Sequence, residues 1–571
     1  MRTKFIFLFS LFFIFNFSQS DFQIEKLQDF TKIYSVARHF HPSDESAKID
    51  WDLFTIYAVE EISKTKNQTE FETKIKDLFF PVVPSMTFGK ETYNWDKTDA
   101  KQVFWINRGL GSNSLSKSYG RQIYNGDSIP RFIEKDLGKI DFPKSSYTLK
   151  LSNNFVVTIP QIVYKRNGKT FPSGNTDIFA KLSEQSFNRN VALSNVIIIW
   201  SGLRHFYPYQ DEMKLDWDMI LKNALSEAYH NKTEYEHFNT LRRLLHHFND
   251  GHMSVAYNPY FNENTFAPGI NLKYLRTTKE VVISDILDDK IGLKKGDVIK
   301  KINGKNVMLV IDSLSQYQSG SEHFNIYKSV KQILKGKENS TLRLETSRGH
   351  FTLSRNININ KNFNFYNKTN SIEIEKISDD ILYINLDNLT DKTAKENLEL
   401  IKSYKKIILD LRGYPRKKGD KILRDEFFWD KNQPKFFSLP IVENPFYENV
   451  KYTKSNGWNQ KKRQELNAKI VLLIDERCAS YPESITKYLK ANGFVTVMGR
   501  PTAGANGNRN DIKLLNGMKY SFTGLKVRNA DNSIFFGIGA IPDIIIEENI
   551  SDIKEGKDTF IEKAVEYLNR K

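Results

Sequence analysis

Hydrophobic and polar residues alternate along the chain in a pattern that is most informative between 469 and 493. The apolar run Ile470–Ile474 predicts a buried strand, and a short polar turn follows it. Pro482 suits the first position of a helix, which we expect to continue to about Asn492. This pattern places Ser480 at a strand-to-helix turn, where backbone N–H groups and the helix dipole can stabilise an oxyanion. The serine can equally be an ordinary helix cap.

From 358 onward, apolar strands and amphipathic helices alternate. The predicted elements are strand Ile381–Asn385, helix Thr393–Lys402, strand Lys406–Gly413 and strand Phe494–Met498. This alternation predicts an α/β core with a partly parallel sheet. Ligands in such folds gather at the carboxyl ends of strands, where we expect Gly413 and Ser480 to lie.

The N-terminal half contains an internal repeat. Residues 27–52 and 193–218 share an Arg-His-Phe-x-Pro motif and an Asp-Trp-Asp motif. In each copy the pattern predicts a helix that stops before proline, a loop, and a second helix capped by aspartate. We therefore predict two similar helical bundles. His39 and His41 invite a metal hypothesis, but Tyr207 replaces His41 in the second copy, so shared packing explains the motif better.

The second copy of the repeat ends differently from the first. Its last helix is followed by Asn249-Asp250-Gly251, a turn that places His252 on a loop. A loop histidine can act as a catalytic base, or it can be a turn residue bonded to backbone. Between the two copies, 89–190 alternates apolar and polar residues and predicts a small β-rich domain.

A third pattern covers 266–357, where short strands flank a Gly-Leu-Lys-Lys-Gly-Asp segment at 292–297 and an Ile-Asn-Gly turn at 302–304. This arrangement resembles the most recognisable part of a PDZ domain. Such domains bind extended peptides by adding a strand to a sheet edge, so the resemblance implies peptide binding. The loop that would bind a peptide carboxylate consists of Gly269, Ile270, Asn271 and Leu272.

The N-terminus, the charge and the cysteine content bear on location and partners. Residues 1–20 combine Arg2 and Lys4 with an apolar run, which predicts a cleaved signal peptide. No later segment is apolar for long enough to span a bilayer. The net charge is +16, but the lysines are spread along the chain, so nucleic-acid binding is not indicated. The single cysteine, Cys478, excludes an internal disulfide and, with export, favours a bacterial periplasm or the cell exterior.

Five segments occur in an informative order. They are the histidine turn Asp250–His252, the strand end Asp410–Gly413, the serine turn Asp475–Glu483, the strand and loop Met498–Gly504, and the late segment Gly537–Ile544. Together with the signal peptide and the PDZ-like region, this order resembles the tail-specific (C-terminal-processing) serine protease family. The resemblance is strongest to its tricorn-core and interphotoreceptor-retinoid-binding-protein branch, and it spans roughly 190–571.

The resemblance implies an exported serine-type endopeptidase that cleaves proteins or peptides. It assigns the nucleophile to Ser480 and the oxyanion-binding N–H groups to Gly413 and Tyr481. One branch of the family uses a Ser–Lys dyad, but its lysine would fall at Ala505, which cannot accept a proton. The base must therefore be His252 if the chain is active.

Two departures from the family pattern concern the groups that orient this base. Gly251 and Phe536 stand where a serine and a glutamate are expected, so Asp250 and Glu483 are the candidate orienting acids. The departures leave an alternative, a catalytically impaired member that acts as an exported peptide-binding protein. Cys478 is a poorer nucleophile candidate, because it precedes the helix start and small buried cysteines are common.

The predicted fold is multidomain α+β, with an α/β protease core and mixed sheet, a PDZ-like β domain, a helical bundle, and an N-terminal repeat of the bundle with a β-rich insert. We predict protein or peptide substrates, bound through their C-terminal tails, and no metal, cofactor or nucleic acid. The predicted boundaries are signal peptide 1–20, first helical copy 21–88, β-rich domain 89–190, second helical copy 191–262, PDZ-like domain 263–357 and protease core 358–571.

Overall fold

A computed structural model describes residues 3–111, 121–125, 143–367, 372–432, 434–456, 462–463 and 465–570, with side chains from Asp21 onward. The chain is a multidomain α+β protein that forms two compact units. The first unit comprises Met1–Leu244, Leu439–Thr453 and Asn510–Gly524. The second comprises Leu245–Ser438, Lys454–Arg509 and Leu525–Lys571.

The described residues form helices throughout the chain. In chain order these are α1 Thr3–Phe40, α2 Asp44–Lys48, α3 Trp51–Ser63, α4 Gln68–Phe79, α5 Arg189–Phe206, α6 Trp217–His230, α7 Glu234–His246, α8 Asn258–Glu263, α9 Val307–Ser315, α10 Glu322–Leu334, α11 Phe363–Asn367, α12 Asp391–Glu396, α13 Leu398–Ser403, α14 Gly419–Phe427, α15 Tyr481–Ala491, α16 Ile550–Glu555 and α17 Thr559–Asn569. None of the described helices is long and apolar enough to cross a membrane.

The strands follow the same order. They are β1 Thr87–Phe88, β2 Lys101–Asn107, β3 Arg121–Asn125, β4 Ser146–Lys150, β5 Val156–Pro160, β6 Ile162–Arg166, β7 Lys169–Phe171, β8 Ser254–Ala256, β9 Phe266–Ala267, β10 Ile270–Leu275, β11 Glu280–Ile286, β12 Val298–Ile302, β13 Lys305–Asn306, β14 Thr341–Thr346, β15 Gly349–Ser354, β16 Ile357–Asn358, β17 Ile374–Lys376, β18 Ile381–Asn385, β19 Lys406–Asp410, β20 Lys435–Ile441, β21 Lys451–Asn456, β22 Lys469–Ile474, β23 Thr496–Gly499, β24 Arg509–Lys513, β25 Lys519–Thr523, β26 Lys526–Val527 and β27 Ile544–Ile545.

In the first unit, the repeated motifs form equivalent structures. Asp50 accepts hydrogen bonds from two amides at the start of α3, and Asp216 accepts one from Met219 at the start of α6. The His39 and His205 rings lie 5.7 Å apart at the ends of α1 and α5. His41 bonds the Pro160 carbonyl at 2.8 Å. These contacts fit the packing interpretation of the histidines, and the described residues contain no metal-binding cluster.

The β-rich part of the first unit contains two small antiparallel sheets. One has the order β3-β2-β6-β7 and the other β1-β5-β4. Their interior consists of residues such as Phe104, Trp105, Val157 and Ile159, all nearly inaccessible to water.

In the second unit, a six-stranded sheet of order β17-β18-β19-β22-β23-β27 forms the centre of the core. Only β17 is antiparallel to its neighbour; the other strands run parallel. Because side chains alternate across a strand, the two faces bury different sets. One face packs with Ile485 and Leu489 of α15, and the opposite face packs with Phe560 and Ala564 of α17. The sheet therefore lies between these helices, with its carboxyl ends at one edge.

A separate antiparallel sheet in the second unit has the order β10-β11-β12-β14-β15. It shares a hydrophobic core with α9 and α10. The strand β10 ends this sheet, so one of its edges pairs with no other strand of the sheet.

Candidate active site

Ser480 ends the loop between β22 and α15 and is the cap residue of α15. Its φ and ψ are 66° and −111°, a combination that L side chains rarely adopt and that costs about 1–3 kcal/mol. The Ser480 N–H donates to the Ala505 carbonyl and to Glu483 Oε2, both at 2.9 Å. Tyr481 precedes Pro482 at the first helical position, one residue earlier than predicted. The serine is thus held in a strained turn at a helix N-terminus.

Glu483 is a fully buried carboxylate that ties this turn to a distant loop. Its Oε1 accepts from the Thr502 hydroxyl and the Gly504 N–H, each at 2.7 Å. Its Oε2 accepts from Ser480 and from the Ala505 N–H at 3.1 Å. Burial raises the pKa of Glu483 to about 7, against the opposing effect of these donors. One side chain therefore fixes the position of the Ser480 turn relative to 502–505.

Ala505 stands where the lysine of a Ser–Lys dyad would fall, and it lies beside the serine turn. Its carbonyl bonds the Ser480 N–H at 2.9 Å. A Cβ added at Gly251 would lie only 2.4 Å from the Ala505 Cβ. The loop that carries His252 therefore contacts the same residue as the serine turn, from the other side of Ala505.

His252 lies directly after this close contact, in the same compact unit as Ser480. Asp250 is fully buried, and its Oδ1 accepts the His252 N–H at 2.9 Å. The Asp250 N–H in turn donates to the Ser319 hydroxyl oxygen at 3.0 Å. Burial lowers the pKa of His252, and the negative charge of Asp250 opposes this shift. A neutral imidazole near pH 7 has the protonation state that a general base needs.

The two predicted oxyanion donors differ in their surroundings. Tyr481 begins α15, so its N–H is among the amides that point out of the helix N-terminus. Its hydroxyl donates to Asp420 Oδ2 at 2.6 Å. The Gly413 N–H donates to the Leu411 carbonyl at 2.7 Å. A Cβ added at Gly413 would lie 1.9 Å from the Asp387 carboxylate, so any larger residue here would have to displace that side chain.

Asp387 is a residue that the sequence did not single out. It follows the carboxyl end of β18 and its Oδ1 is buried without a hydrogen-bond partner. Burial, with the neighbouring negative charge of Asp410, raises the pKa of Asp387 to about 7. No short motif surrounds it, so only the fold could reveal its contact with Gly413.

The carboxyl ends of the parallel strands form one wall of a cleft of about 510 Å³. Arginines on this wall are paired with acids rather than free. Arg412 bonds Asp410 and Asp558, and Arg500 bonds Glu476 and Glu548. The opposite wall comes from β10 and α10.

The first turn of α10 also contacts the loop beside the serine. The Ser321 hydroxyl donates to the Ala503 carbonyl at 2.8 Å, and His323 Nε2 bonds the Thr502 carbonyl at 2.6 Å. Sequence reasoning missed both residues: neither belongs to a recognisable motif, and their bonds join segments about 180 residues apart.

Cys478 does not have the surroundings of a nucleophile. It is fully buried and its thiol donates to the Leu411 carbonyl at 2.9 Å. Burial raises the pKa of this thiol well above its ordinary value. A protonated, inaccessible thiol is inert.

The predicted peptide-binding residues lie on or next to β10. Ile270, Asn271 and Leu272 are all buried, and Gly269 precedes them. An added Cβ at Gly269 would meet Ile357 at 3.1 Å.

Comparisons with known proteins agree with this architecture. Residues 433–546 match the sequence profile of peptidase family S41. This segment of the chain resembles the S41 peptidase core. The resemblance to tail-specific serine proteases is therefore confirmed, and the match supports a serine-type peptidase. The PDZ-like assignment of 263–357 stays a prediction.

Solved structures similar to this chain have low sequence identity to it. Mature CPAF complexed with lactacystin is 12% identical, covers 66% of this chain and 98% of its own, and has a TM-score of 0.53, which shows a shared fold. The photosystem II D1 C-terminal processing protease is 16% identical, covers 66% of this chain and 97% of its own, and has a TM-score of 0.39. No curated protein matches the sequence.

Proposed function

We propose that this chain is an exported endopeptidase in which Ser480 is the nucleophile and His252 the general base. The observation that supports this most is the position of Ala505 between the two turns. Its carbonyl accepts the Ser480 N–H, and its side chain packs against Gly251, next to His252. Two residues separated by more than 200 positions in sequence thus belong to turns that touch one residue.

In the proposed reaction, His252 removes the proton from the Ser480 hydroxyl as its oxygen attacks the peptide carbonyl carbon. The resulting imidazolium protonates the leaving amine when the C–N bond breaks, which leaves an acyl-enzyme. A water molecule, deprotonated by His252, then attacks the ester and releases the acid with regeneration of Ser480. The lowered pKa of His252 favours the neutral imidazole that accepts a proton first from Ser480 and later from water.

The N–H groups of Tyr481 and Gly413 are the proposed oxyanion donors. Tyr481 gains from the positive end of α15. Gly413 uses its N–H for the Leu411 carbonyl in this structure, so we propose that this peptide group turns toward substrate when a carbonyl oxygen arrives. The strained Ser480 backbone fits a turn that is organised for chemistry rather than for stability alone.

Asp250 is the proposed orienting acid of the base. It is buried, and its carboxylate accepts the backbone N–H of His252. Its negative charge favours the imidazolium that forms during the reaction. Glu483 has a different role, because its two oxygens already hold Ser480, Thr502, Gly504 and Ala505. We propose that it positions the nucleophile.

The substrates proposed are proteins or peptides, recognised in part through C-terminal tails at Gly269, Ile270, Asn271 and Leu272. Export by the signal peptide at 1–20 would place the enzyme in a bacterial periplasm or outside the cell. The sequence supports this location through its N-terminal apolar run.

Labelling with a serine-directed fluorophosphonate tests the proposal. The full chain should become covalently labelled, the Ser480→Ala variant should not, and the His252→Ala variant should label only at a much lower rate. Matched controls are Ser484→Ala, one turn further along α15, and His350→Ala, on the exposed part of β15; both should label as the unmodified protein does.

Labelling that persists in Ser480→Ala would place the nucleophile elsewhere. No labelling of the folded chain, with retained binding of peptides, would favour the alternative of a catalytically impaired peptide-binding protein.

A further inference from the structure

A groove lies between β10, at the end of its sheet, and α10. Leu272 and Tyr274 of β10 and Ile326 and Val330 of α10 line this groove, which is part of the 510 Å³ cleft that reaches the carboxyl ends of the core strands. An edge strand beside a helix is the geometry that accepts an extended peptide.

Beside this groove, Phe365 and Tyr366 of α11 accept hydrogen bonds from residues of both its sides. Asn271 Nδ2 donates to the Phe365 carbonyl at 2.7 Å. Lys331 Nζ donates to the Tyr366 carbonyl at 2.6 Å. The Tyr366 hydroxyl donates to the Pro268 carbonyl at 2.9 Å. Three parts of the groove, the loop before β10, β10 itself and α10, thus converge on two consecutive residues.

The burial of these residues agrees with a bound ligand. Tyr366 is only 5% exposed and belongs to the hydrophobic core that β10 and α10 share. Phe365 packs against the same core while remaining partly exposed. A buried tyrosine needs a partner for its hydroxyl, and the Pro268 carbonyl supplies it.

We propose that Phe365–Tyr366 is an internal ligand of this groove, and that an external peptide with a C-terminal Phe-Tyr sequence binds there only by displacing it. This inference rests on the proposed peptide-binding role of 269–272. The hydrogen-bond donors of the groove explain why a peptide with a free C-terminus should bind. Asn271 and Lys331 present an amide N–H and a cation to consecutive carbonyls, and a terminal carboxylate offers Lys331 a full negative charge instead. The Pro268 carbonyl, which accepts the Tyr366 hydroxyl, favours a last residue whose side chain carries a hydroxyl donor.

The internal ligand lowers the apparent affinity of the groove for external peptides. A site that is open for about 10% of the time binds about tenfold more weakly than one that is always open. Removing the Tyr366 side chain should therefore strengthen the binding of an external peptide by about tenfold or more.

The test uses the full chain with Ser480→Ala, so that no cleavage intervenes. The probe is the pentapeptide Asn-Phe-Asn-Phe-Tyr with a fluorophore at its N-terminus and a free C-terminus, which copies 362–366. Fluorescence anisotropy should show binding to the Tyr366→Ala variant at least tenfold tighter than to the chain with Tyr366. Equal affinity of the two chains, or no binding to either, would overturn the proposal.

Three further measurements separate displacement from a general loosening of the fold. The pentapeptide amide, which lacks the charge, should lose most of the gain in Tyr366→Ala. Adding Lys331→Gln to Tyr366→Ala should remove the gain as well. In the chain that keeps Tyr366, saturating peptide should speed amide hydrogen exchange in 363–367; unchanged exchange with bound peptide would contradict displacement.

The experiment distinguishes this inference from the proposed chemistry. It measures binding in a chain without the Ser480 hydroxyl, so failure of the Ser480–His252 mechanism leaves its outcome unchanged. Conversely, if the peptide does not displace Phe365–Tyr366, fluorophosphonate labelling of Ser480 in the unmodified chain is unaffected.

Discussion

The turns that carry the nucleophile and its proposed base are held in different ways. The Ser480 turn is tied by a buried carboxylate, Glu483, whose oxygens reach a second loop. The His252 turn is held by one acid on its own backbone, Asp250, and by the close packing of Gly251 on Ala505. The serine position therefore depends on several buried hydrogen bonds, whereas the base position depends on a hydrogen bond to Asp250 and on close packing at Gly251. Substitutions in the Ser480 turn should therefore mainly lower the free energy of unfolding, and those in the His252 turn should mainly lower the labelling rate.

Among the residues that hold the two turns, the largest effect on catalysis is expected at Asp250. Asp250→Asn removes the negative charge that favours the His252 imidazolium but keeps an oxygen that can accept the His252 backbone N–H. Labelling of Ser480 should slow by up to about ten-thousandfold, the upper end of what general-base catalysis contributes. The measurement is the second-order rate of fluorophosphonate labelling. Asp312→Asn, at an exposed position in α9, is the control. A rate within a few-fold of the unmodified protein would show that Asp250 does not serve the base.

The largest effect on stability is expected at Glu483. Glu483→Ala leaves buried N–H and hydroxyl donors without an acceptor and should lower the free energy of unfolding by about 3–5 kcal/mol. Glu483→Gln, which keeps the size of the side chain, should lose less. Urea unfolding measures both, with Glu399→Ala, at an 87% exposed side chain, as a control expected to change stability by less than about 0.5 kcal/mol. Equal stability of all three variants would refute the role given to this carboxylate.

A smaller effect is expected where the base turn packs. Gly251→Ala introduces a Cβ that would lie 2.4 Å from the Ala505 Cβ, so the His252 turn must move. A displacement near 1 Å can cost about a hundredfold in rate. Adding Ala505→Gly removes the clashing atom and should restore most of the labelling rate. Loss without rescue would show that the clash is not the cause.

The features that could be predicted from the sequence are set by residues close together along the chain, whereas those that could not depend on contacts between distant segments. The strands β18 and β22 were predictable because each is a local apolar run, and the turn at Ser480 followed from a strand, a polar loop and a proline. The helix predicted at Thr393–Lys402 is instead two short helices, α12 and α13, which meet at Asn397. Such a break depends on tertiary contacts that periodicity does not record.

The site shows the same limit. Ser480 and His252 could be proposed from motifs, whereas Asp387, Ser321 and His323 matter only because distant segments meet. No sequence pattern indicated that Phe365–Tyr366 is an internal ligand, since two aromatic residues after a sheet are usually part of a core. Distances between segments are what sequence pattern alone cannot supply.

The smallest effect expected concerns pH. Asp387 has its pKa raised to about 7 in the folded chain, so the folded state retains a proton that the unfolded state releases above about pH 4. Stability from this group is therefore lost as pH rises from about 4 to 7. Asp387→Asn should reduce the loss of unfolding free energy between pH 5 and 8 by on the order of 2 kcal/mol. Glu483 titrates in the same range, so part of the loss remains.

Urea unfolding at the two pH values measures this difference, and Asp379→Asn, at an exposed position, should leave it unchanged. An identical pH dependence in Asp387→Asn and the unmodified chain would show that Asp387 is ionised in the folded state.

The central claim is that His252 deprotonates Ser480, and the pH dependence of Ser480 labelling tests it most directly. In the unmodified chain, the labelling rate should rise to a plateau with a midpoint below about 6.5, because burial lowers the pKa of His252. His252→Ala should abolish this titration and leave a much lower rate. A pH profile with the same midpoint and the same plateau in both proteins would contradict the assignment of His252 as the base.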